Sequence, residues 1–413
     1  MLVTWIAPIA QPQMMRRGLR PRHSRKNQQE GIVMLRLIVT AALLAATASA
    51  PANAQVKIGV IASSTGPISV VGIQQKNTAA LLPKQIGDLA VEYIYMDDNS
   101  DPTQSTKNVQ KMLIEDKVDA IIGPSGSPNA VAVLPFIADS KTPMLAPVGT
   151  TAVVLPMDDK KRWVFKTTQN DNIVMDAIVA HMKKNGVSTV AFIGTSDPLG
   201  DNFAASFKAA AAPAGLKILQ EERFARTDTS VTGQILKIGA ASPDAVLIGT
   251  AGASTVLPEV TLVDQGFKGK IYQTHGAATP EFLKVGGKKV EGTFLAASPM
   301  LVISEIGDDV PSQKVARAYI DAYKKLYNVE PGTFGANIYD AGLLLERTIP
   351  LATKQAKPGT PEFRAALRDS LEGVKELVGA QGVYNMTPQD HSGFDGRSIV
   401  MVAVKNGNWS LVK

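Results

Sequence analysis

Residues 56–67 read VKIGVIASSTGP. The first seven are apolar except for Lys57 and Gly59, which is typical of a strand covered on both faces. A loop of Ser, Thr, Gly and Pro follows, and the next stretch, Gly72 to Leu82, has a helical pattern that ends before Pro83. A buried strand, a polar loop and a helix in this order predict the first unit of an α/β protein with a parallel sheet.

The same alternation of strand and helix patterns continues to about residue 300. Further strands are predicted at 91–96, 118–122, 143–146, 189–193, 217–222, 245–249 and 270–274. Long helical patterns at 312–326, 333–352 and 361–371 then precede short strands at the end. Because so many alternations exceed one comfortable core, the pattern predicts two mostly parallel sheets built from right-handed crossovers.

The N-terminal segment has the pattern of a secretory signal peptide. From Met34, one Arg is followed by fourteen uncharged, mostly apolar residues at 37–50 and then by Ala52-Asn53-Ala54. The apolar stretch is too short to span a bilayer, and small residues stand at the positions that a signal peptidase reads. We predict translation from Met34, a leader and signal peptide over residues 1–54, cleavage after Ala54, and a periplasmic protein without a membrane anchor. An uncleaved anchor is the alternative.

Charge and composition exclude several classes of function. Of the 43 basic and 37 acidic residues, seven basic and one acidic lie in residues 1–54, so the mature chain has 36 of each. A neutral body gives no reason to expect a nucleic-acid partner. The chain has no Cys, and its mature histidines are too scattered for a zinc motif. P-loop, G-x-S-x-G, H-E-x-x-H and dinucleotide motifs are missing. We predict no metal, no cofactor and no catalysis.

Six loops that follow predicted strands are rich in Gly, Ser and Thr and have almost no Lys or Arg. In open parallel sheets, ligands bind beyond the carboxyl ends of the strands, where such loops and helix N-termini gather. Backbone N–H groups and hydroxyls in these loops suit a small anion, although Gly, Ser and Thr also simply make turns and caps. The loops are 63–67, 123–128, 147–151, 195–198, 250–253 and 275–277.

His275 is the single residue with the clearest functional interpretation. It follows the predicted strand 270–274, where it can donate a hydrogen bond to a carboxylate or a carbonyl, more strongly if protonated. The alternative is a helix cap. We expect His181 and His391 to be structural, and the neighbours Asp97 and Asp98 to serve as caps facing solvent rather than as an acid/base pair.

Four segments resemble extracytoplasmic solute-binding proteins of the branched-chain amino acid type, which serve ABC transporters. The segments are Lys57–Val60 with Ser64–Pro67, VDAIIGPSGS at 118–127, Pro143–Thr150 and Tyr272–Gly276. The resemblance covers nearly all of residues 55–413. It implies a two-lobed type I periplasmic-binding-protein fold, in which three crossover hinge segments join the lobes and a solute is clasped between them. It also implies a monomer that delivers the solute to permease subunits. Residues 55–170 and 300–384 would form lobe 1, and 171–299 and 385–413 lobe 2.

The resemblance further implies a ligand site shared by both lobes. Gly126 and Ser127 match the loop that binds the ligand carboxylate, and 148–150 match its partner loop. His275 stands where amino-acid binders have an acidic residue that pairs with the ligand ammonium. The full set of expected contacts is Thr65, Val71, Gly126, Ser127, Val148, Gly149, Thr150, Leu199, Ala251, His275 and Phe334.

The replacement of that acidic residue bears on the ligand. A buried ammonium without a partner costs several kcal/mol, so we expect an aromatic or branched α-keto acid whose keto oxygen accepts a hydrogen bond from His275. In lacking this acidic residue, the sequence resembles the branch of the family that binds aromatic acids. Three alternatives stay open: an unaltered branched-chain amino acid binder, an exported hydrolase that uses His275 with Asp197 or a Ser, and a binding protein that feeds a sensor kinase.

Overall fold

The computed structural model describes residues 55–412, which fold around two separate mostly parallel sheets. The predicted signal peptide and its cleavage point after Ala54 lie outside the described residues. In the described part, no helix has both the length and the apolar composition needed to span a bilayer.

Strands occur where the apolar runs predicted them, with additions. In chain order they are β1 Val56–Ala62, β2 Gln85–Ile86, β3 Leu89–Asp97, β4 Ala120–Ile122, β5 Met144–Ala146, β6 Val164–Lys166, β7 Thr189–Thr195, β8 Lys217–Phe224, β9 Ala245–Gly249, β10 Lys270–Gln273, β11 Phe294–Ala297, β12 Leu377–Val378, β13 Val383–Tyr384, β14 Val400–Lys405 and β15 Asn408–Leu411. The sequence did not predict β6 and β11, whose short apolar runs carry too little pattern for a periodicity argument.

Helices connect most of the strands. They are α1 Ser69–Ala79, α2 Pro102–Lys111, α3 Ser127–Ser140, α4 Asp171–Lys184, α5 Pro198–Ala211, α6 Thr232–Ala241, α7 Val256–Asp264, α8 Pro280–Gly286, α9 Gln313–Tyr327, α10 Thr333–Ala352 and α11 Pro361–Glu372. Asp101 caps the start of α2: its Oδ1 accepts a hydrogen bond from Gln104 N at 2.7 Å, and Pro102 occupies the first turn.

The first sheet has the strand order β2-β3-β1-β4-β5-β6, and only the short β2 pairs antiparallel. The second sheet has the order β15-β14-β11-β10-β9-β7-β8, with β7 to β11 parallel and β14 and β15 antiparallel. Because the carboxyl ends of parallel strands meet at one edge of a sheet, the loops after them are brought together there.

Apolar layers cover both faces of each sheet. Ile58 and Leu344 belong to the core between the first sheet and helices α10 and α11, whereas Ile121 and Val133 belong to the core under α2 and α3. In the second sheet, Leu247 packs with residues of α4 and α5. Each fully buried side chain of this size contributes about 1.5 to 3 kcal/mol, so burial holds this cysteine-free chain together.

The chain passes between the two sheets three times, as the predicted fold requires. It runs from β6 through 167–170 into α4, out of the second sheet after β11, and back through 385–399 into β14. Hydrogen bonds tie these connections to one another. Gln169 Nε2 donates to the Ser398 carbonyl at 3.0 Å and to the Gln381 carbonyl at 3.2 Å, and the Gln381 carbonyl also accepts from Ser298 Oγ at 3.4 Å.

Candidate functional site

A cavity of about 290 Å³ lies between the two sheets. Its walls come from loops that follow β1, β4 and β5 in the first sheet and β7, β8, β9 and β10 in the second. The loops at the carboxyl ends of both sheets therefore share one enclosed space, which is where open α/β sheets bind ligands.

Nine of the eleven predicted site residues line this cavity. They are Val71, Gly126, Ser127, Val148, Gly149, Leu199, Ala251, His275 and Phe334. The other two do not belong to the lining. Thr65 is exposed and its hydroxyl donates to Asn99 Oδ1 at 2.7 Å, whereas Thr150 is fully buried and its Oγ1 accepts from Ala152 N at 3.2 Å. Both hydroxyls thus serve local turns.

The N-terminus of α3 forms the most polar part of the first-sheet wall. Gly126 is the N-cap and supplies no side-chain cap to the helix, and Ser127 makes no side-chain hydrogen bond in the described part of the chain. The neighbouring Ser125 is already engaged, because its hydroxyl donates to Gln75 Oε1. A helix N-terminus with free N–H groups carries partial positive charge and favours an anion.

A buried carboxylate holds this helix end in place. Asp98 is fully buried and accepts hydrogen bonds from Ser63 Oγ at 2.6 Å, Ser105 Oγ at 2.6 Å and Asn129 Nδ2 at 2.8 Å. The predicted solvent-facing role of Asp98 is wrong, because α2 and α3 pack over the end of β3. Asp97 does point elsewhere and caps the neighbouring loop through Ser64 Oγ at 2.7 Å.

Gly149 is the point at which the two sides of the cavity come closest. A Cβ atom added there would lie 2.7 Å from Asp171 Oδ1 and 3.0 Å from His275 Nε2. Both of these residues belong to the second-sheet side, since Asp171 begins α4 and His275 follows β10. The close approach therefore depends on a residue without a side chain.

Two buried charges lie beneath Gly149. Lys166 is fully buried, and its Nζ donates to the carbonyl oxygens of Gly149 and, at 3.2 Å, Gln169. Burial lowers the pKa of Lys166 and raises the pKa of Asp171, and in each case the opposite charge of the other residue works against the shift. Asp171 Oδ1 has no hydrogen-bond partner within residues 55–412. Apart from its place at the end of an apolar run, nothing in the sequence indicated this lysine.

His275 lines the cavity as its position after β10 predicts. Burial, and secondarily the charge of Lys166, lowers the pKa of His275 to about 3. The ring is therefore neutral at physiological pH, and the stronger hydrogen bond considered for a protonated ring is not available. A neutral imidazole still donates through one nitrogen, and Nε2, which lies 3.9 Å from Asp171 Oδ1, faces Gly149.

We expect the His275 ring not to titrate between pH 8 and pH 5. The folded-state pKa of about 3 lies below the ordinary value of 6.5, so the proton is taken up only in stronger acid. NMR of protein with labelled histidine measures this directly, with the His275→Gln spectrum as the assignment. The same protein in concentrated urea is the control, where the ring should titrate near its ordinary value; a folded-state midpoint near pH 6.5 would contradict the burial of His275.

A chain of hydrogen bonds crosses the edge of the cavity next to Gly149 and Asp171. Thr151 follows β5, and its Oγ1 donates at 2.6 Å to Oδ1 of Asn202 on α5. Asn202 Nδ2 in turn donates to Asp171 Oδ2 at 2.5 Å. The first-sheet loop is therefore joined to the second-sheet helix beside the cavity, in the arrangement expected of closed lobes.

The second-sheet wall contains an ion pair that the sequence did not predict. Arg226 follows β8, and its Nε donates to Asp197 Oδ2 at 2.6 Å while its Nη1 donates to the Ala251 carbonyl at 3.0 Å. Asp197 also caps α5, since Oδ1 accepts from Leu199 N and Gly200 N at 3.0 Å each. The β8 loop was not among the Gly- and Ser-rich loops, so residue type alone did not indicate it.

Apolar side chains form the rest of the lining. Val71, Leu199 and Phe334 lie there as predicted, and Ile68 and Phe203 add to them. The Phe203 ring meets the His275 ring edge-on, with centroids 5.8 Å apart. An apolar space with a few polar groups at its walls suits a small ligand that has one ring or branched chain and a polar end.

The residues needed for hydrolysis are not assembled. In the described chain, His275 makes no hydrogen bond to Asp197 or to any serine, and Asp197 is engaged by Arg226 and by α5. Within the same residues, no group of three or more His, Asp or Glu side chains is placed to hold a metal ion. The geometry is that of a binding cavity.

Known proteins resemble this chain in sequence and fold. The model of a family described as periplasmic binding protein matches residues 55–408. A Leu/Ile/Val-binding protein of Rhizobium johnstonii is 25% identical over 83% of this chain and 91% of its own. The crystal structure of an extracellular ligand-binding receptor from Rhodopseudomonas palustris HaA2 is 43% identical, with a TM-score of 0.84 over 86% of this chain and 99% of that one. An R. palustris solute-binding protein in complex with benzoate shares the fold at 17% identity, with a TM-score of 0.74 over 87% of this chain and 95% of that one.

Proposed function

The chain belongs to the periplasmic binding protein family, and from that premise we propose that it captures an aromatic or branched α-keto acid for an ABC importer. One observation carries this proposal: the uncapped N-terminus of α3 faces an apolar cavity enclosed by loops of both sheets. The helix end binds the carboxylate, and Val71, Leu199 and Phe334 surround the ring or branched chain.

The neutral ring of His275 supports a keto acid. Its Nε2 can donate to a keto oxygen placed next to the carboxylate, whereas a buried ammonium at this point would lie near the charge of Lys166. A fold of this kind also accommodates an aromatic carboxylate in the R. palustris protein that holds benzoate. The nine predicted residues that line the cavity are therefore proposed as ligand contacts, with Phe203 added.

Closure of two lobes is the proposed mechanism. Residues 55–170 with 300–384 form one lobe and 171–299 with 385–413 the other, and ligand contacts with both favour the closed state that the permease recognises. The Thr151–Asn202 hydrogen bond and the close approach at Gly149 support closure at this edge. We propose that the protein acts as a monomer in the periplasm and that the signal peptide directs its export to that compartment.

A branched-chain amino acid is the second candidate ligand, and one observation favours it. Asp171 Oδ1 is buried without a hydrogen-bond partner in the described residues and lies next to His275 and Gly149. That oxygen could pair with the ammonium of leucine in place of the missing acidic residue.

Calorimetric titration of the purified protein separates the two candidates. We expect phenylpyruvate to bind with a dissociation constant of about 1 μM, equivalent to about 8 kcal/mol, and leucine at least a hundredfold more weakly. Benzoylformate and 4-methyl-2-oxopentanoate extend the panel to a shorter aromatic and a branched keto acid. Micromolar binding of leucine with no response to the keto acids would contradict the keto-acid assignment and favour the amino acid.

A further inference from the structure

Arg226 and Asp197 form a polar pair on the second-sheet wall that carboxylate binding at α3 does not use. Both residues line the cavity, and their side chains are 17% and 15% exposed. The pair is therefore accessible from the cavity but largely shielded from solvent, a setting in which hydrogen bonds to charged groups are strong.

The pair is offset from His275 across the second sheet. Arg226 follows the edge strand β8, and β10 lies three positions away in the order β10-β9-β7-β8. At ~4.8 Å between neighbouring strands, the two loops start roughly 14 Å apart. The guanidinium covers part of this distance by reaching the carbonyl of Ala251, which follows β9. The remaining space between His275 and Arg226 is where a ligand ring would extend.

Each member of the pair retains unused hydrogen-bonding capacity. Arg226 donates through Nε and Nη1, and Nη2 has no partner among the residues that the structure describes. Asp197 Oδ1 accepts from Thr195, Leu199 and Gly200, whereas Oδ2 accepts only from Arg226. Arg226 Nη2 is therefore a free donor group beside a carboxylate oxygen, Asp197 Oδ2, that can accept again.

A hydroxyl group satisfies both positions at once, because it accepts from Arg226 and donates to Asp197. A carboxylate, an ammonium or a methyl group would not satisfy both the donor of Arg226 and the acceptor of Asp197. A second carboxylate would meet the charge of Asp197, an ammonium would meet the charge of Arg226, and a methyl group would leave both positions desolvated without partners.

We propose that Arg226 and Asp197 form a second polar subsite, which selects ligands that carry a hydroxyl group at the end remote from the carboxylate. This inference rests on the proposed function, because it assumes that the carboxylate binds at the N-terminus of α3. It narrows the ligand class to hydroxylated aromatic acids, such as those with a para-hydroxyl group on the ring.

A matched set of acids tests the subsite without any change to the protein. Titration of the wild type with phenylpyruvate, 4-hydroxyphenylpyruvate and 4-methylphenylpyruvate holds the keto-acid end constant. We expect the hydroxylated acid to bind roughly 10- to 100-fold more tightly than phenylpyruvate, the range of a hydrogen bond to a charged group, and the methylated acid to bind no more tightly than phenylpyruvate. Equal affinity for the hydroxylated and unsubstituted acids would overturn the subsite and leave the proposed function standing. Failure of all three to bind would overturn both.

Substitution of Arg226 then assigns the effect to this side chain. In Arg226→Gln, the preference for the hydroxylated acid over phenylpyruvate should fall to less than about threefold, because the lost bond involves only the hydroxyl. Arg223→Gln is the matched control, since Arg223 contacts Glu221 and the Phe192 ring outside the cavity lining. A preference that survives in Arg226→Gln, with folding verified by circular dichroism, would overturn the assignment.

Discussion

Replacement of Gly149 by valine is expected to abolish ligand binding, with a loss of at least about a hundredfold in affinity, while both lobes stay folded. The reason is steric. A Cβ atom at this position would lie 2.7 Å from Asp171 Oδ1 and 3.0 Å from His275 Nε2, closer than side-chain carbon atoms are normally tolerated. Both contacts lie across the cleft, so the lobes can relieve them by staying apart. When the lobes stay apart, the ligand can contact only one wall of the cavity, so it binds more weakly.

Calorimetry and small-angle scattering measure the two parts of this expectation. The variant should show no heat with phenylpyruvate and should keep an open-state scattering curve when the acid is added. Gly233→Val is the control, since a Cβ atom at Gly233 on α6 meets nothing within 4 Å; its affinity should equal that of the wild type. Wild-type affinity in Gly149→Val would show that the close approach at Gly149 plays no part in binding.

Replacement of Lys166 by methionine is expected to lower the free energy of unfolding by about 2 to 5 kcal/mol, the range for leaving buried polar and charged groups without their partners. Methionine fills the space of the lysine stem but leaves the Gly149 and Gln169 carbonyls without their donor. It also leaves the buried Asp171 without the positive charge that counteracts the effect of burial on its pKa. This is a large fraction of the stability of an ordinary domain.

Urea unfolding of three variants measures the effect and its origin. The double variant Lys166→Met with Asp171→Asn should recover part of the loss, because it removes both charges together. Lys284→Met is the control, since Lys284 is exposed on α8 and its replacement should change stability by less than about 0.5 kcal/mol. A loss in Lys166→Met no larger than that of the control would contradict the role of Lys166 as the buried counter-charge.

Much of the fold could be predicted from the sequence because parallel strands that are buried on both faces leave an unbroken apolar run. The run at 56–62 is such a case, and it became β1, which pairs with β3 and β4. Loops after such runs are brought to one edge whatever their composition, so His275 could be placed at the cavity from its position alone.

The residues whose roles could not be predicted from the sequence have a common physical property: their contacts depend on how the chain packs. Lys166, Asp171 and Arg226 are charged residues, and only the packed structure shows which opposite charge or carbonyl lies next to each of them. Asp98 illustrates the same limit: it does point away from Asp97, but two helices cover the side that was expected to face solvent. The hydroxyls of Thr65 and Thr150 were expected in the cavity and instead complete nearby turns.

A crystal structure of the protein grown with saturating phenylpyruvate tests most directly whether an acid is held between the two sheets. We predict density for the acid in the cavity, with its carboxylate at the backbone N–H and the hydroxyl of Ser127, its keto oxygen at His275 Nε2, and its ring between Leu199 and Phe334. Density for the acid elsewhere on the surface, with the cavity occupied by solvent alone, would contradict the proposed mode of binding.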